Sequence, residues 1–245
     1  MRIHRYLVGV VTVFAGAVGA AAAGQESAVS LQFKPTAAVL SYRQISTEET
    51  ELTSATRAPV EKSIYEARRE LTQTVTAEDD ELEVTVQQVK VIATHKGRRL
   101  RKETPSDPLT FTVLRTGEVV DGDGTLGIVL PSQPVTPGST WSATIEPTPE
   151  FPLALTAHYV FKQFQQVGSR RCALIETSAH GDVSKTIEKP GWFHTSFGTV
   201  LFDPTAGVIV KATTCVSRAI AYPCLHPSNL SSVVSSTDTT LTLCP

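Results

Sequence analysis

The sequence predicts an all-β fold: an antiparallel meander curled into an open barrel or half-barrel, with few helices. Three observations carry that expectation. Alternating apolar and polar residues recur, as in Leu153, Leu155, Ala157, Tyr159 and Phe161 with Thr156, His158 and Lys162 on the other face. Turn-forming residues break these runs at short intervals, as at Thr116-Gly117, Gly168-Ser169 and Asp203-Pro204-Thr205-Ala206-Gly207. Credible helices are scarce, Val60–Leu71 being the one fair candidate.

The chain begins with a leader-type segment. Arg2 and Arg5 form a short basic region, Leu7 to Ala20 is apolar, and Ala21-Ala22-Ala23 offers a small-x-small cleavage site. The expected organisation is a signal peptide over residues 1–23 and one β-rich domain over 24–245. The apolar stretch is short and rich in alanine and glycine, so a membrane span is the poorer reading, and the mature protein is expected not to cross a bilayer. Its location is then secreted or periplasmic. The 245 residues suffice for a sizeable core, and 41% hydrophobic with 19% charged residues is a globular balance. Loss of Arg2 and Arg5 leaves 20 basic against 24 acidic residues, a net −4, which argues against a nucleic-acid partner.

Beyond the leader, Val29–Phe33 and Ala37–Ile45 read as strands separated by Lys34-Pro35, and Ser46–Pro59 as a polar, acidic loop or hairpin tip. Val60–Thr76 fits two patterns. Ile64, Ala67, Leu71 and Val75 suit a helix face, whereas Tyr65, Ala67, Leu71 and Val75 suit a strand and the threonines from Thr72 favour extension. In Glu81–Thr94 the apolar set changes parity from Leu82, Val84 and Val86 to Val89, Val91 and Ala93, which predicts a bulge at Gln87-Gln88. The basic run Arg98, Arg99, Arg101 and Lys102 reads as a solvated loop tip. Phe111–Val120 is a hairpin about Thr116-Gly117, and the prolines at 131, 134 and 137 forbid regular structure until Trp141, Ala143 and Ile145 start a new strand. Cys172–Ser178, Trp192–Phe202, Val208–Ile220 and Val233–Leu243 complete the series.

Motifs for chemistry are weak. Gly122-Asp-Gly124-Thr-Leu-Gly127 matches the dinucleotide string, but Pro131 leaves no room for the helix whose amides would meet a pyrophosphate. Asp121, Asp123 and Thr125 open like a calcium loop without its third acid, central glycine or distal glutamate. His180 and His194, with Glu176, offer a metal site only if neighbouring strands bring them together. There is no G-x-S-x-G, S-x-x-K or H-E-x-x-H. No catalytic, cofactor-binding or metal residue is therefore assigned. The even set Cys172, Cys215, Cys224 and Cys244, in an exported chain, predicts disulfides of unspecified connectivity.

Leu130–Trp141, LPSQPVTPGSTW, resembles a motif of an uncharacterised family of secreted bacterial β-rich proteins, and Phe202-Asp203-Pro204 with Gly207 is similar to that family's later hairpin. The resemblance spans roughly Thr110 to Thr214. It implies export and an antiparallel β fold, and more distantly resembles the half-barrel of the periplasmic lipoprotein carriers LolA and LolB. It supplies no catalytic residues.

Two functions follow as expectations. One is a non-enzymatic binding module whose concave face takes an apolar small molecule or lipid, with Trp141, Leu155, Tyr159, Phe161 and Phe197 as its apolar face. The other is a structural or protein-interaction module partnering an envelope protein, with a filled core. A curled sheet needs a cover for that face, and the sequence offers a helix, a long loop or a ligand.

Overall fold

Strands β1 (Val39–Ser54), β2 (Pro59–Glu78), β3 (Glu81–His95), the two-residue β4 (Arg98–Arg99), β5 (Leu109–Leu114) and β6 (Val119–Asp121) follow one another along the first half of the chain. The second half supplies β7 (Thr140–Ile145), β8 (Leu155–Val167), β9 (Arg170–Val183), β10 (Gly191–Asp203), β11 (Val208–Ala221) and β12 (Leu230–Leu243). The structure, a computed structural model, describes residues 27–35, 39–54, 59–95, 98–99, 107–122, 124–147, 153–184, 190–222 and 230–244. The predicted leader segment (residues 1–23), the basic residues Arg101 and Lys102, Asp123 and Cys224 lie outside them.

The expected all-β class holds: there is no helix among the described residues. All strands join one antiparallel sheet in the order β6-β5-β3-β2-β1-β12-β11-β10-β9-β8-β7, with β4 attached to β3. Two meanders meet at the centre, where β1 pairs with β12, Tyr42 opposite Leu243 and Leu52 opposite Val233. The sheet stays open, its edges being the short β6 and β7. It is nevertheless strongly curled. Val84, Phe111 and Val113 from one flank share a buried cluster with Phe161, Ile175 and Phe202 from the other.

Residues directly opposite in an antiparallel ladder point to the same side, so register fixes two faces. The inner face carries Tyr42, Leu71, Val75, Val84, Phe111, Phe161, Ile175 and Val200, all but Leu71 of them buried. Large fully buried side chains such as Phe161, Phe202 and Leu31 each contribute about 1.5–3 kcal/mol of apolar burial.

Val60–Leu71 resolves as strand, the first half of β2. It is paired with β1 on one side, and from Tyr65 onward with β3 on the other. The ladder satisfies backbone groups that a helix would satisfy internally, and period-two burial of Ala67 and Val75 overrides the helical spacing. The bulge is real but lies one residue later than expected. Glu70 faces Lys90 and Leu71 faces Gln88, so Val89 is the inserted residue. It juts out, half-exposed, while Val84 and Val91 keep to one face.

The cover of the inner face is built from loops. The N-terminal segment inserts Leu31 and Phe33 into the core, and the connection from β6 to β7 inserts Ile128 and Leu130. Backbone bonds tie these segments down: Phe33 N donates to Arg115 O (2.8 Å), Leu130 N to Thr116 O (2.7 Å), and Val29 pairs with Val135. The connection thus spans the opening from one edge of the sheet to the other.

Candidate functional site

Inside that cover a cavity of about 250 Å³ remains, on the inner face of β1, β2 and β3. Leu40, Tyr42, Leu71, Val84 and Ile209 form its apolar floor, and Leu126 leans in from the β6–β7 connection. Gln44 and Gln73 add two amides. The long-range pairing of β1 with β12 places Leu241 beside Tyr42 and Gln44. Tyr42 is buried and its hydroxyl donates to Ile209 O (3.2 Å). Burial pushes its phenol pKa well above the usual tyrosine range, which favours the neutral hydroxyl that donates this bond.

The glycine-rich string forms the cavity's lid. Thr125, Leu126 and Gly127 line it, and the Thr125 hydroxyl accepts from Gly127 N (3.0 Å) in a tight non-helical turn. Gly124 is packed onto the ring of Phe111, where a Cβ would collide with it. No helix N-terminus opens there, so the dinucleotide geometry is missing among the described residues.

The predicted apolar-face residues have other positions. Trp141 is half-buried, stacked on Tyr159 (5.4 Å between centroids, 20°), and its indole Nε1 donates to Val129 O (2.7 Å). The Tyr159 hydroxyl accepts from Val129 N (3.3 Å). Burial raises the Tyr159 pKa, offset in part by that amide. Both aromatic residues therefore clamp the connection. Phe161 is fully buried, Leu155 nearly so, and none of these four lines the cavity. Phe197 belongs to the opposite face. It is 62% exposed and lines an open hollow of about 710 Å³ on the outer side of the sheet. That hollow also holds Ile45 and a row of threonines, with Thr199 and Thr213 hydrogen-bonded at 2.8 Å. Phe193 and Val234 are exposed on the same outer face.

Register separates the conceivable metal ligands. Glu176 and His180 project outward from β9, where His180 stacks on His158 at 5.9 Å. His194 is on the inner face, opposite Gly181 and Arg218, and cannot join them. It is 4% exposed and accepts from Arg218 Nε at its Nδ1 (3.3 Å). Burial, aided by the Arg218 charge, lowers its pKa from 6.5 to about 4. No metal-binding group of side chains forms among the described residues.

The disulfide expectation is corrected for the described cysteines. Cys172, Cys215 and Cys244 are free. Along the ladders Cys172 lies two strands from Cys215 and three from Cys244, and Cys244 lies about six residues beyond Cys215. At roughly 4.8 Å per strand and 3.3 Å per residue, none of the three pairs comes within the ~7 Å a bridge requires. Burial raises the thiol pKa of Cys172, as does the Asp203 charge, against an opposing pull from Arg170. Burial and the Asp238 carboxylate raise that of Cys215. Both remain protonated and weakly nucleophilic.

Gln44, Gln73 and the lid are not among the candidate site residues that the sequence offers. The signal was present in the inward parity of Leu40, Tyr42 and Gln44, but the partner strands were not. No helix is long and apolar enough to cross a membrane among the described residues. No protein-family model matches this chain, and no curated protein does.

Proposed function

We propose that the protein is a non-enzymatic binding module that holds an apolar ligand in the inner cavity and acts outside the cytoplasm. The cavity itself carries the reading: an apolar floor, two convergent amides and a loop lid, on a sheet whose loops leave that space unfilled. Export rests on the basic-apolar-small pattern of residues 1–23, and the likeness to secreted β-rich proteins agrees with it. Native mass spectrometry of detergent-free protein tests the binding. An adduct removed by organic extraction is the expected result, with Leu40→Trp, which fills the cavity, reducing it. A clean mass together with no uptake of a fluorescent fatty acid by wild type refutes the reading.

One observation favours a second reading, docking of an envelope protein. Phe193, Phe197, Ile45 and Val234 are exposed on the outer face, away from the cavity. Phe197→Ser leaves ligand uptake intact and weakens partner capture if that face is used.

A further inference from the structure

We infer that the cavity's ligand is a single-chain amphiphile with an anionic headgroup, a fatty-acid carboxylate, held by Arg69 beside the cavity wall. The inference rests on the binding reading above and names the ligand class for the same site.

Size limits the ligand to one chain. A volume of about 250 Å³ lies at or below the ~300–1,000 Å³ typical of small-molecule pockets, too little for two acyl chains. Charge selects the headgroup. Arg69 precedes Leu71 on the inward side of β2 and stands directly opposite Gln44, so it flanks two residues of the cavity wall. Most charged side chains on the sheet point outward, among them Lys62 paired with Glu49, Lys90 with Glu70 and Lys162 with Glu176. Arg69 points inward and is half-buried. Its hydrogen bond is to the neutral Ser46 hydroxyl (2.9 Å), with no carboxylate partner among the described residues.

Inward acids do not compensate it. Glu48, on the same face of β1, stands four ladder pairs further along, opposite Tyr65, and accepts from Thr50. A half-buried guanidinium with free donors beside an apolar hollow is a carboxylate site with a tail pocket attached. Gln44 adds a neutral donor next to it.

The test compares laurate with dodecanol by displacement of a fluorescent probe from wild type, Arg69→Gln and Arg69→Lys. Laurate should bind wild type about ten-fold or more tighter than dodecanol, the range of a charge-assisted hydrogen bond. Arg69→Gln should abolish that preference by lowering laurate affinity far more than dodecanol affinity, and Arg69→Lys should restore part of it. Equal affinity of wild type for the two probes overturns the inference while the cavity reading stands. Binding of neither probe overturns both. Should Arg69→Gln misfold, the wild type still decides: laurate affinity must fall as the carboxylate is protonated in acid, and dodecanol affinity must not.

Discussion

At the scale of single residues, two buried ionisable groups show how the sheet fixes charge. Asp203 closes the β10–β11 turn. Burial alone would raise its pKa, but the amides of Ala206 and Thr205 and the Arg170 guanidinium (2.8 Å) outweigh this and the net shift is downward. The turn that the sequence marks by residue type is thus held by an anion. His194 is the reverse case, buried neutral. Its folded pKa of about 4 lies below the unfolded 6.5, so between those values the unfolded chain binds more protons and stability falls as pH falls. The full loss, about 3 kcal/mol, should be reached below pH ~4. Urea midpoints across that window measure it. His194→Gln should flatten the slope relative to wild type; an unchanged slope would place the titration elsewhere.

At the scale of elements, the connection from β6 to β7 covers the sheet's inner face in place of a second layer of helix or sheet. Proline and glycine keep it irregular, and tertiary contacts keep it ordered. Gly117 shows the tolerance. Its φ is +86°, and an added Cβ would lie 2.5 Å from Ile128 O and 2.8 Å from the Phe33 ring. Gly127 and Gly138 also have positive φ, yet nothing lies within 4 Å of a Cβ there. Gly117→Ala should therefore cost at least about 2 kcal/mol, and Gly127→Ala or Gly138→Ala about 1. Chemical denaturation of the three variants checks the ranking. Equal losses would mean that backbone conformation alone, and not the packing of the two covering segments, sets the cost.

At the scale of the whole molecule, one open sheet holds together without a disulfide among its described cysteines. The three are too far apart to bridge one another, so Cys224 can pair with at most one of them. Denatured, unreduced monomer should therefore titrate at least two thiols. A count of zero would contradict the strand register across β9 to β12. Stability comes instead from the shared cluster, in which Leu31, Phe33, Ile128 and Leu130 join both flanks.

Local pattern was legible in the sequence because a strand's side-chain period is its own property. Alternation marked Leu155–Phe161, the parity change near Gln87-Gln88 marked the bulge at Val89, and Thr116-Gly117 marked a hairpin. Trp192 and Phe197, an odd distance apart, already had to point to opposite faces of one strand. What lay beyond reach was pairing over long separations. The meeting of β1 with β12, the choice of loops as cover, and the hollow left between Tyr42, Leu71 and Ile209 each depend on segments far apart in the chain. Cysteine parity failed for the same reason: an even count states how many bridges can exist, and only the register states which thiols meet. Arg69 looks in sequence like any charge on an amphipathic strand. Its inward direction, its lack of a carboxylate partner among the described residues and its place beside Gln44 are consequences of how the sheet closes around its core.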